Sequence, residues 1–555
     1  MNKKRISIII TILAVIAIVV ILLPENNKNN TSSNYTINLT DLTYKSDNKN
    51  IKLKIYTQEE YNSFLKDYKS HKLPDIYITE FLFDGVSMYK TYDLDDFKES
   101  GNDIEVETLK ITNLNINTTG KIELTGNLQN GMISVNTNNK KDKINIILNG
   151  IKIDTNSKKV PALLVYNKDI TNTDCKVTIE TKENTKNYLE GGKLKKISLI
   201  GSDELESYKN YYTDDYTKYL NYYGVYNKSE IDNILFAKIQ ADNEDLKDGD
   251  PYYFYKGAGA ISSDIDLYFK GNGYLEVTSK NKEGIETKGN LTFEGSKGDY
   301  VINAKDDCLN TTTKSQNNSA RNTLTIDVNS LTAIVDASDD TEEGDGIDSN
   351  GKLIINNGTI ISLAHPGQDA GLDSEDGIYI NGGTVLATGN MYDQISNESK
   401  QNFLVLSFKE QIDSLLTILD SNFQPFLAYL TDRTYTNLVY SSSNLVNGTY
   451  YLYKGGKIEG TEQNGIYSNI TSYTKGTQLG YSITGELKEN RNDIPRDMNN
   501  EMPPNNEMPF DKERPNDIKE PDNNMLPPEI DNNENTDNLE FIINSNSSIF
   551  SGIGK

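Results

Sequence analysis

The chain has 555 residues, enough for a large core and two or three structural units. Asp and Glu outnumber Lys and Arg by 81 to 56, for a formal net charge of −25. That argues against nucleic acid or an anionic membrane surface as a direct partner, and suits cations or ligands reached through cations. With only Cys175, Cys308, His71 and His365, the chain has no disulfide framework and no Cys/His zinc set.

The N-terminus reads as a targeting segment. Lys3, Lys4 and Arg5 precede an apolar run over residues 6–23 that is broken only by Ser7 and Thr11 and ends at Pro24. As a helix this run is roughly 27 Å long, near the thickness of a bilayer core. The basic flank stays in the cytoplasm, which puts the body of the protein outside the cell. No A-x-A site follows the run, so the reading is an uncleaved signal anchor with its linker over residues 1–30; a cleaved signal peptide is the alternative. Residues 31–100 form a small mixed region, in which QEEYNSFLKDY (residues 58–68) is predicted to be helical.

From about Ile104, short β-branched runs alternate with Asn, Gly and Asp turns, as in KIELTG, KINIILNG, LYFKG and LTFEG. A repeat emerges when each unit is anchored on the aliphatic residue that follows a small one. The anchors Ile261, Ile285, Leu309, Ile347 and Leu372 are separated by 24, 24, 38 and 25 residues, and the long interval holds the polar insertion TKSQNNSARN. Six residues after four of the anchors comes another aliphatic, at Leu267, Leu291, Leu353 and Ile378, and after Leu309 its equivalent is Leu324, beyond the insertion. One such unit cannot bury its own apolar face, whereas stacked units share a core. Three short strands per unit of about 24 residues predict an all-β fold, a single-stranded parallel β-helix over residues 101–390. In this picture the small residue makes the turn, the aliphatic fills the core and the acids line up outside.

Two interruptions are expected. Residues 198–250 read as an insertion with a helix whose Tyr208, Tyr212, Tyr216, Tyr219, Tyr223 and Tyr226 form a stripe. Such a stripe more often packs on its own protein than stacks on sugar. KEQIDSLLTILD (residues 409–420) is predicted to be a second helix, within a C-terminal part of the same domain over residues 391–487. Residues 488–555 form a Pro/Asn-rich tail, with eight of the chain's 14 prolines between Pro495 and Pro528, and are expected to be disordered.

Stacking the repeats puts acids in columns. Two residues before the anchors stand Gly259, Glu283, Asp307, Asp345 and Ala370; one residue after them stand Ser262, Glu286, Asn310, Asp348 and Asp373; Asp306 and Asp369 lie three before. Neighbouring coils of a parallel β-helix are about 4.8 Å apart. Two carboxylates at that distance repel by about 3 kcal/mol at an effective dielectric near 20. Ca²⁺ would turn the repulsion into attraction. The plainer reading is solvated turn chemistry, which also favours Asp and Asn. No catalytic set is evident: there is no G-x-S-x-G, no phosphate loop and no histidine beside a nucleophile. Lys282, Lys288 and Lys305 lie near the acidic columns and leave open a calcium-assisted lyase.

Several stretches in order, KIELTGNLQNGMISVNTNNKKDKINIILNGIKI, GAISSDIDLYFKGNGYLEV, EGIETKGNLTFEG, KDDCLN, GDGIDSNGKLIINNGTI, GLDSEDGIYINGGTVLATGN and YTNLVYSSSNLVNGTYYLYKGG, resemble a family of bacterial cell-surface carbohydrate-binding proteins. The resemblance spans residues 102–481 apart from the Tyr-rich insertion. It implies a right-handed parallel β-helix allied in fold to pectate lyases, binding of acidic polysaccharide such as polygalacturonate, calcium on the helix and no established catalysis. By this similarity the metal-ligand candidates are Asp306, Asp307, Asp345, Asp348, Asp369 and Asp373. The chain departs from the family pattern in its insertion, in Cys308 at a small-residue position and in its Pro/Asn-rich tail. The resulting expectation is a non-catalytic, membrane-anchored extracellular protein that binds acidic polysaccharide with Ca²⁺. A calcium-dependent lyase and a structural or adhesive surface protein are the alternatives.

Overall fold

A computed structural model describes residues 33–46, 49–57, 60, 74–84, 108–137, 142–156, 160–167, 175–192, 197–201, 251–254, 259–280, 282–295, 297–312, 321–338, 343–482, 537–543 and 547–554. The fold is all-β: every named element among these residues is a strand. The apolar segment at residues 6–23, the expected helix at residues 58–68 apart from Glu60, and the tyrosine stripe lie outside the described residues. Of the insertion, only the flanks Ile197–Gly201 and Pro251–Phe254 are described, and they pair with each other antiparallel. No helix among the described residues is long and apolar enough to cross a membrane.

The predicted repeat is visible as strand pairing. The strands Ile261–Ser263, Ile285–Thr287, Leu309–Thr311, Ile347–Ser349 and Leu372–Ser374 pair in parallel, each anchor opposite the next. A second parallel ladder joins Leu267, Leu291, Leu324, Leu353 and Ile378. A third joins Tyr274–Ser279 to Asp299–Ala304 and then to the later halves of Leu324–Val335 and Leu353–Leu363. The insertion between Leu309 and Leu324 therefore leaves the register of its neighbours intact. Towards the N-terminus the first parallel ladder continues through Leu163–Asn167 and Gly131–Thr137 to Thr108–Ile116, which pairs antiparallel with Ile76–Asp84. Ser33–Asn38 pairs in parallel with Gly120–Gln129. Strands from the small N-terminal region thus join the same sheets.

Period-2 alternation explains the core. All five anchors are at most 2% exposed, and they pack with Phe269, Phe293 and Tyr300 in one continuous apolar cluster. Phe269 and Phe293, paired in register, stack at 4.8 Å with 15° between their planes. The small residues before the anchors have a different role from the expected turn. Gly284, Gly346 and Gly371 are not among the glycines with positive φ; what they need is space. A Cβ on Gly346 would stand 2.7 Å from the Gly371 carbonyl oxygen and closer still to Ser362 Oγ. We therefore expect Gly346→Val to destabilise the fold by about 1–3 kcal/mol, read from its thermal melt. An unchanged melt would mean that the coils pack less tightly here.

The C-terminal part departs from the predicted pattern in three ways. After the bridges Ala370–Met391 and Ile378–Ile395 the parallel stack ends, and Thr384–Gly389 pairs antiparallel with Tyr435–Ser441. Residues 403–482, 537–543 and 547–554 then build a second core on the outer side chains Ile361, Leu363 and Leu386. The helix expected at residues 409–420 is instead the end of strand Phe403–Ile412 followed by strand Leu416–Leu419. Leu416–Leu419 lies between Pro425–Tyr429 and Gly448–Gln463, and all four of its residues are buried. An apolar run buried on both faces carries no alternation, and the leucine spacing there fits a helix equally well. The tail expected to be disordered also ends in strands. Ser547–Gly554 pairs in parallel with Phe403–Ile412, while Phe541 and Phe550 pack against each other and Tyr481 at ring distances of 4.8–5.0 Å.

Candidate metal centre

Each short strand of the first ladder turns three side chains in fixed directions. The anchor points into the core. The residue two further on is a buried hydroxyl that ties the turn. Thr287 Oγ1 donates to the Ile265 carbonyl at 2.7 Å and Ser374 Oγ to the Gly351 carbonyl at 2.6 Å, and the Thr311 and Ser349 hydroxyls meet at 3.2 Å. The residue between them faces outward, so Ser262, Glu286, Asn310, Asp348 and Asp373 form one register column.

Three of the six expected acids converge. Asp345, Asp348 and Asp373 each offer a carboxylate oxygen, all within 4.8 Å of one another, and all three are partly buried. Asp307 lies one coil away. Its Oδ1 accepts the Asp345 N–H at 2.8 Å and its Oδ2 accepts from Asn310 Nδ2 at 2.5 Å. The same amide donates to Asp348 Oδ2 at 3.0 Å. Asp345 Oδ1 in turn accepts the Ala370 N–H at 2.6 Å. The other two acids are outside the group of three. Asp306 takes Lys282 Nζ at 2.5 Å. Asp369 Oδ2 lies 3.7 Å from His365 Nδ1, which itself accepts the Gly367 N–H at 3.1 Å.

The electrostatics follow from burial and like charge. Desolvation first, then the neighbouring Asp307, pushes Asp345 up to about 8 and Asp348 up to about 9. Asp307 itself rises to about 7 through burial and then the charge of Asp306. Burial also raises Asp369 and Asp373. Where a lysine is at hand the direction reverses: the hydrogen bond from Lys305 brings Asp336 down to about 2. No Lys or Arg among the described residues forms an ion pair with Asp345, Asp348 or Asp373.

A set of convergent, acceptor-only oxygens that strongly prefer a proton to an empty charge fits a hard cation such as Ca²⁺. Asp393 carries no repeat spacing, and sequence reasoning missed it. Its carboxyl rises to about 6 through burial and, in part, the charge of Asp373, and its Oδ2 is buried without a hydrogen-bond partner. Asn310, noted in the column but not among the expected ligands, joins Asp307 to Asp348.

Residues 111–206 and 229–315 match the model of a family described as carbohydrate-binding domain-containing protein, less than half of the chain. This match supports a carbohydrate-binding role. No curated protein matches the chain. Among solved structures, a polysaccharide lyase-like protein from C. thermocellum, studied as a gadolinium derivative, is similar at 16% identity with a TM-score of 0.29. That similarity covers 53% of this chain and 88% of the other, and at such a score it carries no argument.

Proposed function

We propose that this protein is a non-catalytic, cell-surface carbohydrate-binding protein that holds acidic polysaccharide such as polygalacturonate through Ca²⁺. Its body is a right-handed single-stranded parallel β-helix, tethered outside the cell by the N-terminal anchor. The observation that carries this reading is the convergence of Asp345, Asp348 and Asp373 within 4.8 Å on one outward face. These residues would hold the ion, with Asp307 beside them and Asp306 and Asp369 at the margin. A protein of net charge −25 and a polyanion repel each other; a cation shared between protein and sugar carboxylates reverses that sign. The family match over residues 111–206 and 229–315 supports the carbohydrate class.

The lysines bear on the lyase alternative. Lys282 is paired with Asp306, Lys288 with Asp264 and Lys305 with Asp336. Each of these ammonium groups is already engaged by a carboxylate of the protein and so is not presented to a sugar as a general base, which favours binding over catalysis. The test is retention of the chelator-stripped and Ca²⁺-loaded protein on immobilised polygalacturonate, with a neutral glucan as control. At least tenfold stronger retention with Ca²⁺, on the acidic polymer alone, is expected. Equal retention after chelation would rule out bridging by the ion, and an unsaturated product released from the polymer would identify a lyase.

A further inference from the structure

The outward side of the third ladder carries a different chemistry from the acidic column. Lys186–Gly191 pairs in parallel with Tyr274–Ser279 on one side and with the later half of Lys143–Asp154 on the other. The strand period of 2 sends Leu189, Leu275 and Val277 into the core and leaves Lys152, Lys186, Tyr188 and Tyr274 on the outside. Lys152 is the register partner of Tyr188, and Lys186 that of Tyr274. The two tyrosine rings, on successive coils, stand 6.0 Å apart with 58° between their planes. Lys186 Nζ lies 5.8 Å from the centre of the Tyr274 ring. The Tyr274 hydroxyl donates to Glu276 Oε2 at 2.7 Å, which ties the ring down along its own strand.

Charge selects the ligand for this patch. The acids on the same face are engaged by donors of the protein. Lys280 joins Asp154 and Glu190, each at 3.0 Å. Glu276 takes the Tyr274 hydroxyl, and Asp299 takes Asn329 Nδ2 and Ser330 Oγ, each at 2.6 Å. Lys152 and Lys186 are exposed and form no ion pair among the described residues. Half-open tyrosine rings stack on the apolar faces of sugar rings, and ammonium groups pair with carboxylates. Set side by side, the two features suit a sugar that carries a carboxylate. All four residues lie within the stretches that match the carbohydrate-binding family. The C-terminal part reaches this face two coils beyond Glu276, where Asn464 Nδ2 donates to Thr332 Oγ1 at 3.1 Å.

We propose that Lys152, Lys186, Tyr188 and Tyr274 form a sugar-binding surface that takes uronate units directly, without a metal ion. It lies on the third ladder, whereas Asp348 and Asp373 stand on strands of the first. The sugar class rests on the carbohydrate-binding reading above, and the calcium position is not needed for it.

The experiment is a calorimetric titration of the full chain, in chelator, with a short galacturonate oligomer and with its uncharged methyl ester. Wild type is expected to bind the acid form more tightly than the ester. Tyr188→Ala should weaken both by about fivefold. Lys152→Gln and Lys186→Gln together should weaken the acid form by about fivefold and leave the ester unchanged. These lysines are exposed, so the double variant is expected to melt like wild type and decides the matter even where Tyr188→Ala lowers the melt. No binding by wild type in chelator, or binding undiminished in the double variant, would overturn the proposal. Oligomer binding in chelator with no gain in polymer retention from Ca²⁺ would support this surface and overturn the ion bridge. Retention that depends wholly on Ca²⁺, with no oligomer binding in chelator, would overturn this surface and leave the bridge.

Discussion

Asp348→Asn is expected to make the cation-free protein more stable near pH 8 while removing its response to Ca²⁺. Asp348 has the highest value in the cluster, about 9, because burial and then the charges of Asp307, Asp373 and Asp345 all oppose its ionised form. An unfolded aspartate titrates near 3.9. Near pH 8 the native state must therefore protonate Asp348 or hold a strongly disfavoured charge, and either costs stability on the order of a few kcal/mol. Asparagine keeps the shape and removes the charge. It also removes an oxygen anion that a hard cation needs. Thermal melts of wild type and variant, each with chelator and with excess Ca²⁺, read both effects. A variant less stable than wild type in chelator would show that Asp348 is held by contacts that outweigh the repulsion. A melt still raised by Ca²⁺ as in wild type would remove Asp348 from the metal position.

In chelator, the wild-type protein is expected to lose stability as the pH rises from about 5 to 9, and Ca²⁺ should largely abolish that loss. The folded values of Asp307, Asp345 and Asp348 stand at about 7, 8 and 9. All lie above the unfolded value of about 3.9. Between the two values the native state binds protons that the unfolded state has released, so stability falls with rising pH. The contribution is fully present below the unfolded value and is lost as pH rises through the folded values. For each group still protonated in the fold, the slope is about 1.4 kcal/mol per pH unit. Because the three groups are neighbours, their protons leave as a coupled set. Ca²⁺ must displace those protons, so its affinity is expected to rise over the same window, with proton release measurable in weakly buffered solution. A pH-independent melt in chelator would contradict the raised values.

Much of this was legible in the chain because a stacked repeat writes its contacts at fixed intervals. The spacings of 24, 24, 38 and 25 residues correctly paired Ile261, Ile285, Leu309, Ile347 and Leu372, even across the polar insertion. The outward column from Ser262 to Asp373 follows from the same spacings and the period of 2 along a strand. The role of the small residue was misread, since local sequence does not distinguish a glycine that turns from one that admits a neighbour. At Gly346 the neighbour is Ser362, on a strand of a different ladder. The strand Leu416–Leu419 read as helix because its burial comes from Pro425–Tyr429 and Gly448–Gln463, which no local period reports. The returning strand Ser547–Gly554 was hidden by the average composition of a tail whose apolar residues sit at its far end.

By itself, the sequence determined the all-β character, the repeat and its register, and the alignment of acids on one face. These depend only on strand period and repeat length, and both are local. The tertiary structure decided which acids meet. Asp369 belongs to the same repeat as Asp373, and Asp306 to the repeat before that of Asp345 and Asp348, yet Lys282 lies against Asp306 and His365 against Asp369 while the other three converge. It also decided that the Asn310 amide turns its NH₂ towards Asp307 and Asp348, leaving its carbonyl buried and without a donor. The contacts of Lys282 with Asp306 and of Asn310 with Asp348 span 24 and 38 residues of chain, and they exist only once the repeats are stacked.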